Sequence, residues 1–394
     1  MEIITIALCL ILLVYTILIA QIIVGFNKVK TFERTNLAPK TAFTIIIPFR
    51  NEKRNLPKLL ESISNLDYPC KMIEIILVDD FSTDNSERVC IQWRMKNEHL
   101  DTTLLENLHL SDSPKKDAIG RAMPIAKHDW VITTDADCIV NKNWLLTFDN
   151  YIQHYNPEMI IGAVMYNTKN NWFHHFQQLD LMSLQGVTIG TFGMGKPFMC
   201  NGANFAYTKK FFNNIGGFGG ISNTASGDDV LLLQKAVSAN LDKIHYLKNN
   251  DAIVKTKPEN DLFKLFMQRV RWAGKATSYK STYPKLLAIV VLLMNLSLTI
   301  AFCLVPCAFL PVAFCSFALC LLPFAFFNWK LIVSVFLIKY IVDYTLLYKS
   351  NTYLRKGKFF VPVASSLLYP FFSSLVGMYS LFGSFVWKGR RFKK

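Results

Sequence analysis

Four stretches of the chain place chemically capable side chains beside apolar runs. Residues 131–138 read VITTDADC: a short strand-like run stops at two threonines and the carboxylates Asp135 and Asp137. Two carboxylates one residue apart suit a hard divalent cation that keeps open positions for phosphate oxygens. Alone, the motif is equally a polar turn after a strand. Residues 73–80 (IEIILVDD) end in a second pair, Asp79 and Asp80. Asp228 and Asp229 follow Ser226 in SGDDVLLLQ, where Ser226 caps a helix with both acids in its first turn, an ordinary use of negative charge. The fourth stretch, QRVRW, offers Gln268, Arg271 and Trp272. Just ahead of an apolar segment, it also fits an anchor at a membrane surface.

The surrounding pattern says which elements hold these groups. AFTIIIPF (42–49) is a buried first strand stopped by Pro48, with Arg50, Asn51 and Glu52 in the turn that follows. Residues 55–66 have helical spacing, with Leu56, Leu59, Leu60 and Ile63 on one face. The run at 73–80 is a second buried strand, and Ser82, Asp84 and Ser86 form a polar turn into a helix ending near Lys96. A short third strand over 102–105 and a helix over 115–126 lead into VITTDADC. Strand and helix therefore alternate, which predicts an α/β fold: a mostly parallel, Rossmann-like sheet covered on both faces, with the carboxylate pairs along one edge. The turn after the first strand (PFRNEKRN) contains no G-x-G-x-x-G, and the chain has no G-x-x-x-x-G-K-[ST]. Phosphate would thus be handled by metal and basic side chains rather than by a glycine cradle. Residues 159–164 are a further apolar run, and 171–190 a helix whose His174 and His175 read as polar positions rather than metal ligands. MCNGANFAY (199–207) resembles a substrate-facing segment, GGFGG (216–220) is a flexible loop, and 261–279 is an amphipathic helix carrying QRVRW.

The chain has 394 residues, 52% of them hydrophobic, and a mean hydropathy of +0.25. The excess lies at the two ends. Residues 3–26 can cross a bilayer of about 30 Å. With no preceding Lys or Arg and no small-x-small cleavage site, they read as an anchor rather than a signal peptide. Residues 286–388 form a second apolar region, interrupted by prolines and by Lys339 and Asp343, in which three or four segments are expected. The net charge of +15 first suggests nucleic acid. However, Lys28, Lys30 and Arg34, then Lys275, Lys280 and Lys285, then Lys388 to Lys394 flank the apolar regions, the pattern that keeps positive residues in the cytoplasm. That pattern excludes nucleic acid as a partner and puts the middle of the chain at the cytoplasmic face of a cell membrane. Five of the nine cysteines fall in the apolar ends, and the other four lack zinc-like spacing, which fits a reduced compartment.

Taken together, VDD, DAD, GDD and QRVRW resemble the D, D, D, Q-x-x-R-W series of family 2 inverting glycosyltransferases. These are membrane-embedded enzymes of GT-A fold related to hyaluronan, chitin and cellulose synthases. The resemblance covers roughly residues 42–280, and the closing WKGRRF is similar to the tail of many membrane-bound members. It implies that Asp80 contacts the nucleoside, that Pro48, Arg50 and Glu52 border it, and that Lys115 or Lys116 lies near the base or phosphates. It makes Asp135 and Asp137 the ligands of Mg²⁺ or Mn²⁺, with Asp137 the more direct. Asp229 becomes the general base with Asp228 beside it, and Gln268, Arg271 and Trp272 frame the acceptor and diphosphate. Asp228 departs from the glutamate common before the base, the membrane region is smaller than in cellulose synthases, and no gating-loop motif is evident.

The implied organisation is an anchor (1–26), a basic linker (27–41), a GT-A domain (42–260), an interface helix (261–285), a membrane region (286–388) and a basic cytoplasmic tail (389–394). The implied activity is metal-dependent, inverting transfer of a sugar from a nucleotide-diphospho-sugar, with a UDP-sugar as first candidate. The acceptor is a saccharide in glycan synthesis, or alternatively a membrane lipid receiving one sugar. A nucleotide-sugar sensor would not need every carboxylate, and a transporter would not need so large a polar segment between apolar ones.

Overall fold

A computed structural model describes residues 2–168, 171–221, 227–279, 281–307, 329–357, 361–387 and 390–392. Ser226, the expected cap, lies outside the described residues, as do residues 308–328 of the expected membrane region and Lys388, Lys393 and Lys394.

After α1 (Glu2–Lys28) the chain alternates through β1 (Phe43–Phe49), α2 (Leu56–Ser64), β2 (Ile73–Asp79), α3 (Ser86–Lys96), β3 (Asp101–Glu106), α4 (Pro114–Ile125) and β4 (Trp130–Thr133). Next come α5 (Trp144–Tyr155), β5 (Met159–Gly162), β6 (Val164–Tyr166), α6 (Trp172–Gly193), β7 (Phe205–Thr208) and α7 (Lys209–Asn214). They are followed by α8 (Val230–Asn240), β8 (Ile244–Leu247), β9 (Val254–Thr256) and α9 (Leu262–Gly274). The C-terminal part holds α10 (Thr282–Cys307), α11 (Trp329–Arg355), α12 (Val363–Phe382), β10 (Phe385–Trp387) and β11 (Arg390–Phe392).

Seven strands form one sheet in the order β3, β2, β1, β4, β7, β5, β8. β1 runs parallel to β2 and β4, with Phe49 level with Asp79 and Ile46 level with Thr133, so both carboxylate-bearing ends leave the sheet at one edge. β7 is antiparallel to β4 and β5. The sheet is therefore mostly, not wholly, parallel. Alternate residues of β1 feed opposite faces. Phe43, Ile45 and Ile47 join Leu56, Leu59, Leu60 and Ile63 of α2 and Trp144 of α5. Ile46 joins Val78 of β2 and Met123 of α4.

The second of these cores continues into the apolar helices through Ile22 and Phe26 of α1, Met182 and Ile189 of α6, and Met294 of α10. α1 crosses α6 in backbone contact. A Cβ on Gly190 would stand 2.4 Å from the Ile22 carbonyl oxygen, and one on Gly25 would stand 2.1 Å from that of Gly190, so only glycine admits the crossing. Three helices, Glu2–Lys28, Thr282–Leu304 and Trp329–Arg355, are long and apolar enough to cross a membrane. α12 has 20 residues and carries Pro370. Lys339 and Asp343 pair across one turn of α11, and Tyr15 of α1 donates to Asp343, so these charges face a neighbouring helix.

Two elements depart from expectation. The amphipathic helix stops at Gly274, and Lys275–Ser278 tighten into a 3₁₀ turn, in keeping with the low helix propensity of glycine. The end of the expected membrane region and the start of the expected tail instead form an antiparallel pair, β10 with β11.

Candidate active site

A cleft of about 1330 Å³ opens at the carboxyl edge of the sheet and extends between the apolar helices. Pro48, Arg50, Glu52, Asp80, Lys115, Asp135, Asp137, Asp228, Asp229, Gln268, Arg271 and Trp272 all border it. Lys116 does not. Its ammonium is buried against the Ile221 carbonyl, and burial pushes its pKa down to about 8. Of the two neighbouring lysines, helical rotation gives the cleft only Lys115.

Asp80 sits at the end of β2 where the backbone is strained: Phe81 has φ +55°, a rare conformation for an aromatic residue. Arg50 holds this turn by donating to the carbonyls of both Asp80 and Phe81, so its guanidinium braces the loop. Glu52 accepts from Asn55, while its own amide donates to Ser86. The buried Asp80 carboxylate accepts from Asn107 at 2.9 Å, lies 2.6 Å from His109 Nε2, and accepts from Arg390 at 2.7 Å. Arg390 thus ties the C-terminal strand pair to the first carboxylate of the series. His109 and Asn107 are additions that no sequence motif announced, and Arg390 belongs to the WKGRRF stretch, to which the sequence assigned no site role.

Beyond the end of β4, Lys115 of α4 places its Nζ 2.6 Å from Asp135 and 3.1 Å from Asp228, joining the second carboxylate pair to the third. Burial disfavours its charge, but these aspartates more than compensate and hold it firmly protonated. Among the described residues, no three His, Cys, Asp or Glu side chains gather at metal-ligand spacing. Asp135 and Asp137 nevertheless fit a hard cation: both are oxygen donors on the cleft, and the Lys115 ammonium already marks the spot as favourable to positive charge. Phosphate oxygens and water would complete such a shell for magnesium or manganese.

Asp229 is itself the cap of α8, accepting from the Val230 amide at 2.7 Å; the sequence had placed both acids inside the helix. Gly227 makes the turn possible with φ +88°. The second Asp229 oxygen accepts from the Gly202 amide at 3.0 Å, and Lys275 approaches the first at 2.9 Å. A Cβ on Gly202 would come within 2.8 Å of Asp228 Oδ2. The small residues of 199–207 therefore let backbone approach carboxylate. Burial raises the Asp229 pKa, but Lys275 and Lys115 outweigh it and hold the group well below the usual carboxylate range. Lys275 went unnoticed in the sequence, where it reads only as a basic flank. The 3₁₀ turn after α9 is what aims it inward.

Within QRVRW, the intervening Arg269 is the most firmly held residue. It is buried against Asp180 of α6, bonds Gln268, and lies 4.3 Å from the Trp272 ring. Tyr369 of α12 also donates to Asp180, at 3.1 Å. Arg269 thereby fastens α9 to α6 while Arg271 and Trp272 face the cleft. Burial lowers the Arg271 pKa, opposed by Asp135, Asp228 and Asp229. The histidines of α6 serve structure: His174 Nε2 lies 3.2 Å from Asn260 and His175 Nε2 3.2 Å from the Val361 carbonyl.

This edge of a mostly parallel sheet, with acids ending β2 and β4, agrees with comparison to known proteins. Residues 44–216 match the glycosyl transferase family 2 model. The family 2 match stops before Asp229 and α9. Over 247 residues the chain is 23% identical to the glycosyltransferase GlyG of Streptococcus pneumoniae, covering 58% of this chain and 79% of GlyG. Over 124 residues it is 30% identical to a poly(ribitol-phosphate) beta-glucosyltransferase of Bacillus spizizenii, covering 31% of this chain and 19% of that one. It is also 25% identical over 119 residues to the Staphylococcus aureus beta-N-acetylglucosaminyltransferase TarS, covering 30% of this chain and 20% of TarS. The chain thus spans about a fifth of the length of those last two relatives. The mannosyltransferase PcManGT of Pyrobaculum calidifontis, solved with GDP-Man and Mn²⁺, superposes with a TM-score of 0.57 at 18% identity, covering 96% of this chain and 98% of that structure. The fold is GT-A, combined with the three candidate membrane helices.

Proposed function

We propose that this protein is a membrane-bound, inverting, metal-dependent glycosyltransferase that moves a sugar from a nucleotide-diphospho-sugar to an acceptor hydroxyl. The observation that carries this reading is the convergence of Asp80, Asp135, Asp137, Asp229 and Arg271, from separate elements, on one cleft. A UDP-sugar is the first donor to test, and the domain faces the cytoplasm.

Each residue has a task matched to its setting. Asp80 receives the nucleoside at the end of β2. Asp135 and Asp137 would hold Mg²⁺ or Mn²⁺, which when bound offsets the charge gathering on the leaving diphosphate. Arg271 adds a positive charge to the same region. Asp229, fixed by two backbone amides, accepts the proton of the attacking hydroxyl as the bond from that oxygen to the anomeric carbon forms and the bond to the diphosphate breaks. General-base help of this kind is worth about 10² to 10⁴ in rate. A base on the face opposite the leaving group gives inversion. Trp272 offers a flat surface for a pyranose ring.

The test is nucleotide release by detergent-purified protein across UDP- and GDP-sugars, with Mn²⁺ or Mg²⁺ against EDTA. Release with one donor that EDTA and Asp229→Asn both abolish is the expected result. Equal release by wild type and Asp229→Asn removes Asp229 as base. Nucleotide binding without release from any donor favours a sensor.

A further inference from the structure

The cleft does not end at the sheet edge. From Asp229 its lining follows Lys275, Tyr279 and Pro284 into the first turns of α10, then crosses to the last turns of α12. Ile289 and Leu381 both line the cavity, yet are 56% and 47% exposed, so they mark a second mouth on the outer face of the helix bundle. Deeper in, the two helices close together. A Cβ on Gly377 would meet Leu292 Cδ1 at 2.6 Å, and beyond it Thr299 and Ser374 lie 3.2 Å apart. The opening between the two helices is thus a wedge nearest α9, behind which the cavity continues past Asn295, Tyr369 and Ser365.

Its level and chemistry identify what would pass through it. α12 packs against α9 through Phe266 and Tyr379, whose rings are 5.5 Å apart, and α9 begins with the exposed Leu262 and Phe263. Such a helix lies at a membrane surface with its apolar residues in the lipid. A mouth bordered by Ile289 and Leu381 at that depth meets acyl chains.

Resting on the transferase reading above, we propose that the acceptor is a hydroxyl-bearing membrane lipid that enters sideways between α10 and α12. Its chains stay in the wedge and its head group reaches Asp229. The lipid hydroxyl gives its proton to Asp229, its oxygen bonds the anomeric carbon, and the nucleoside diphosphate leaves. A hydroxyl suits this site better than a phosphomonoester, which has an ionised oxygen ready to attack and no need of a base.

The test uses full-length protein in phosphatidylcholine vesicles containing dioleoylglycerol, with the labelled nucleotide-sugar that wild type accepts. Label extracted into organic solvent is compared for wild type, Ile289→Trp, Leu381→Trp and Asp229→Asn. Both tryptophan variants change exposed residues, so folding is expected to survive, and slow donor hydrolysis in vesicles lacking dioleoylglycerol reports an intact donor site. The expected result is labelled lipid from wild type, reduced at least tenfold in both tryptophan variants with donor hydrolysis unchanged. Three results would overturn the proposal: wild type that hydrolyses donor but labels no lipid, portal variants as active as wild type, or transfer to soluble oligosaccharides in preference to lipid. If Asp229→Asn turns over donor normally, the base assignment fails instead, and the two failures are distinguishable.

Discussion

Replacing Lys275 with methionine tests the electrostatics of the candidate base directly. Lys275 Nζ sits 2.9 Å from Asp229 Oδ1, both groups are nearly buried, and its charge is the largest influence opposing the burial of that carboxylate. Methionine keeps most of the stem and removes the charge. A hydrogen bond to a charged group contributes about 1.5–3 kcal/mol. Its loss raises the Asp229 pKa toward the usual carboxylate range. The sign follows from the depressed carboxylate: its stabilisation is present above the ordinary carboxylate range and is lost as pH falls through the folded pKa. Wild type should therefore keep kcat/KM free of an Asp229 limb from neutral pH down to that range, while the variant acquires an acidic limb at higher pH. Stability should fall by about 3 kcal/mol, the low end for breaking a buried pair, since Lys115 and two amides remain. The assay is kcat/KM for nucleotide release against pH, with Asp229→Asn as the control that lacks the titration. An acidic limb unchanged between wild type and Lys275→Met would refute the reasoning, because the titrating group would then be something other than Asp229.

Three further outcomes follow from the packing. Gly190→Leu should wedge α1 off α6 and lower thermal stability in detergent by about 1–3 kcal/mol or more, whereas Gly274→Ala, with nothing within 4 Å of the added Cβ, should leave it almost unchanged. Asp180→Leu should cost about 3–5 kcal/mol by stranding the buried Arg269, measured by denaturant unfolding; a loss below about 1 kcal/mol would mean that the pair does not fasten α9. Arg390→Ala should tighten nucleotide binding in calorimetry by freeing an Asp80 oxygen, and weaker binding would instead place Arg390 among the donor contacts.

Much of the site was legible because its signals are local. A β-branched run ending in aspartates shows a buried strand and what its end presents, and β1, β2 and β4 sit where 42–49, 73–80 and the start of 131–138 pointed. The spacing of Leu56, Leu59, Leu60 and Ile63 gave the buried face of α2. Residues whose roles depend on long-range approach were illegible. Lys275, Arg269 and His109 carry no pattern distinguishing them from other basic residues, yet each ends against an aspartate far away in the chain. Asp229 shows both sides: its motif was evident, but its capping geometry and its lysine partner were not.

Sequence by itself therefore determined the element order through β4, the carboxylates and the apolar ends, since periodicity and chain chemistry act over a few residues. Tertiary structure alone decided which lysine faces the cleft, how α1 meets α6 through glycine, and that the cavity continues into the helix bundle. Those outcomes depend on the rotation and close approach of elements distant in sequence. Packing and the pairing of buried charge fix them only once the chain has folded.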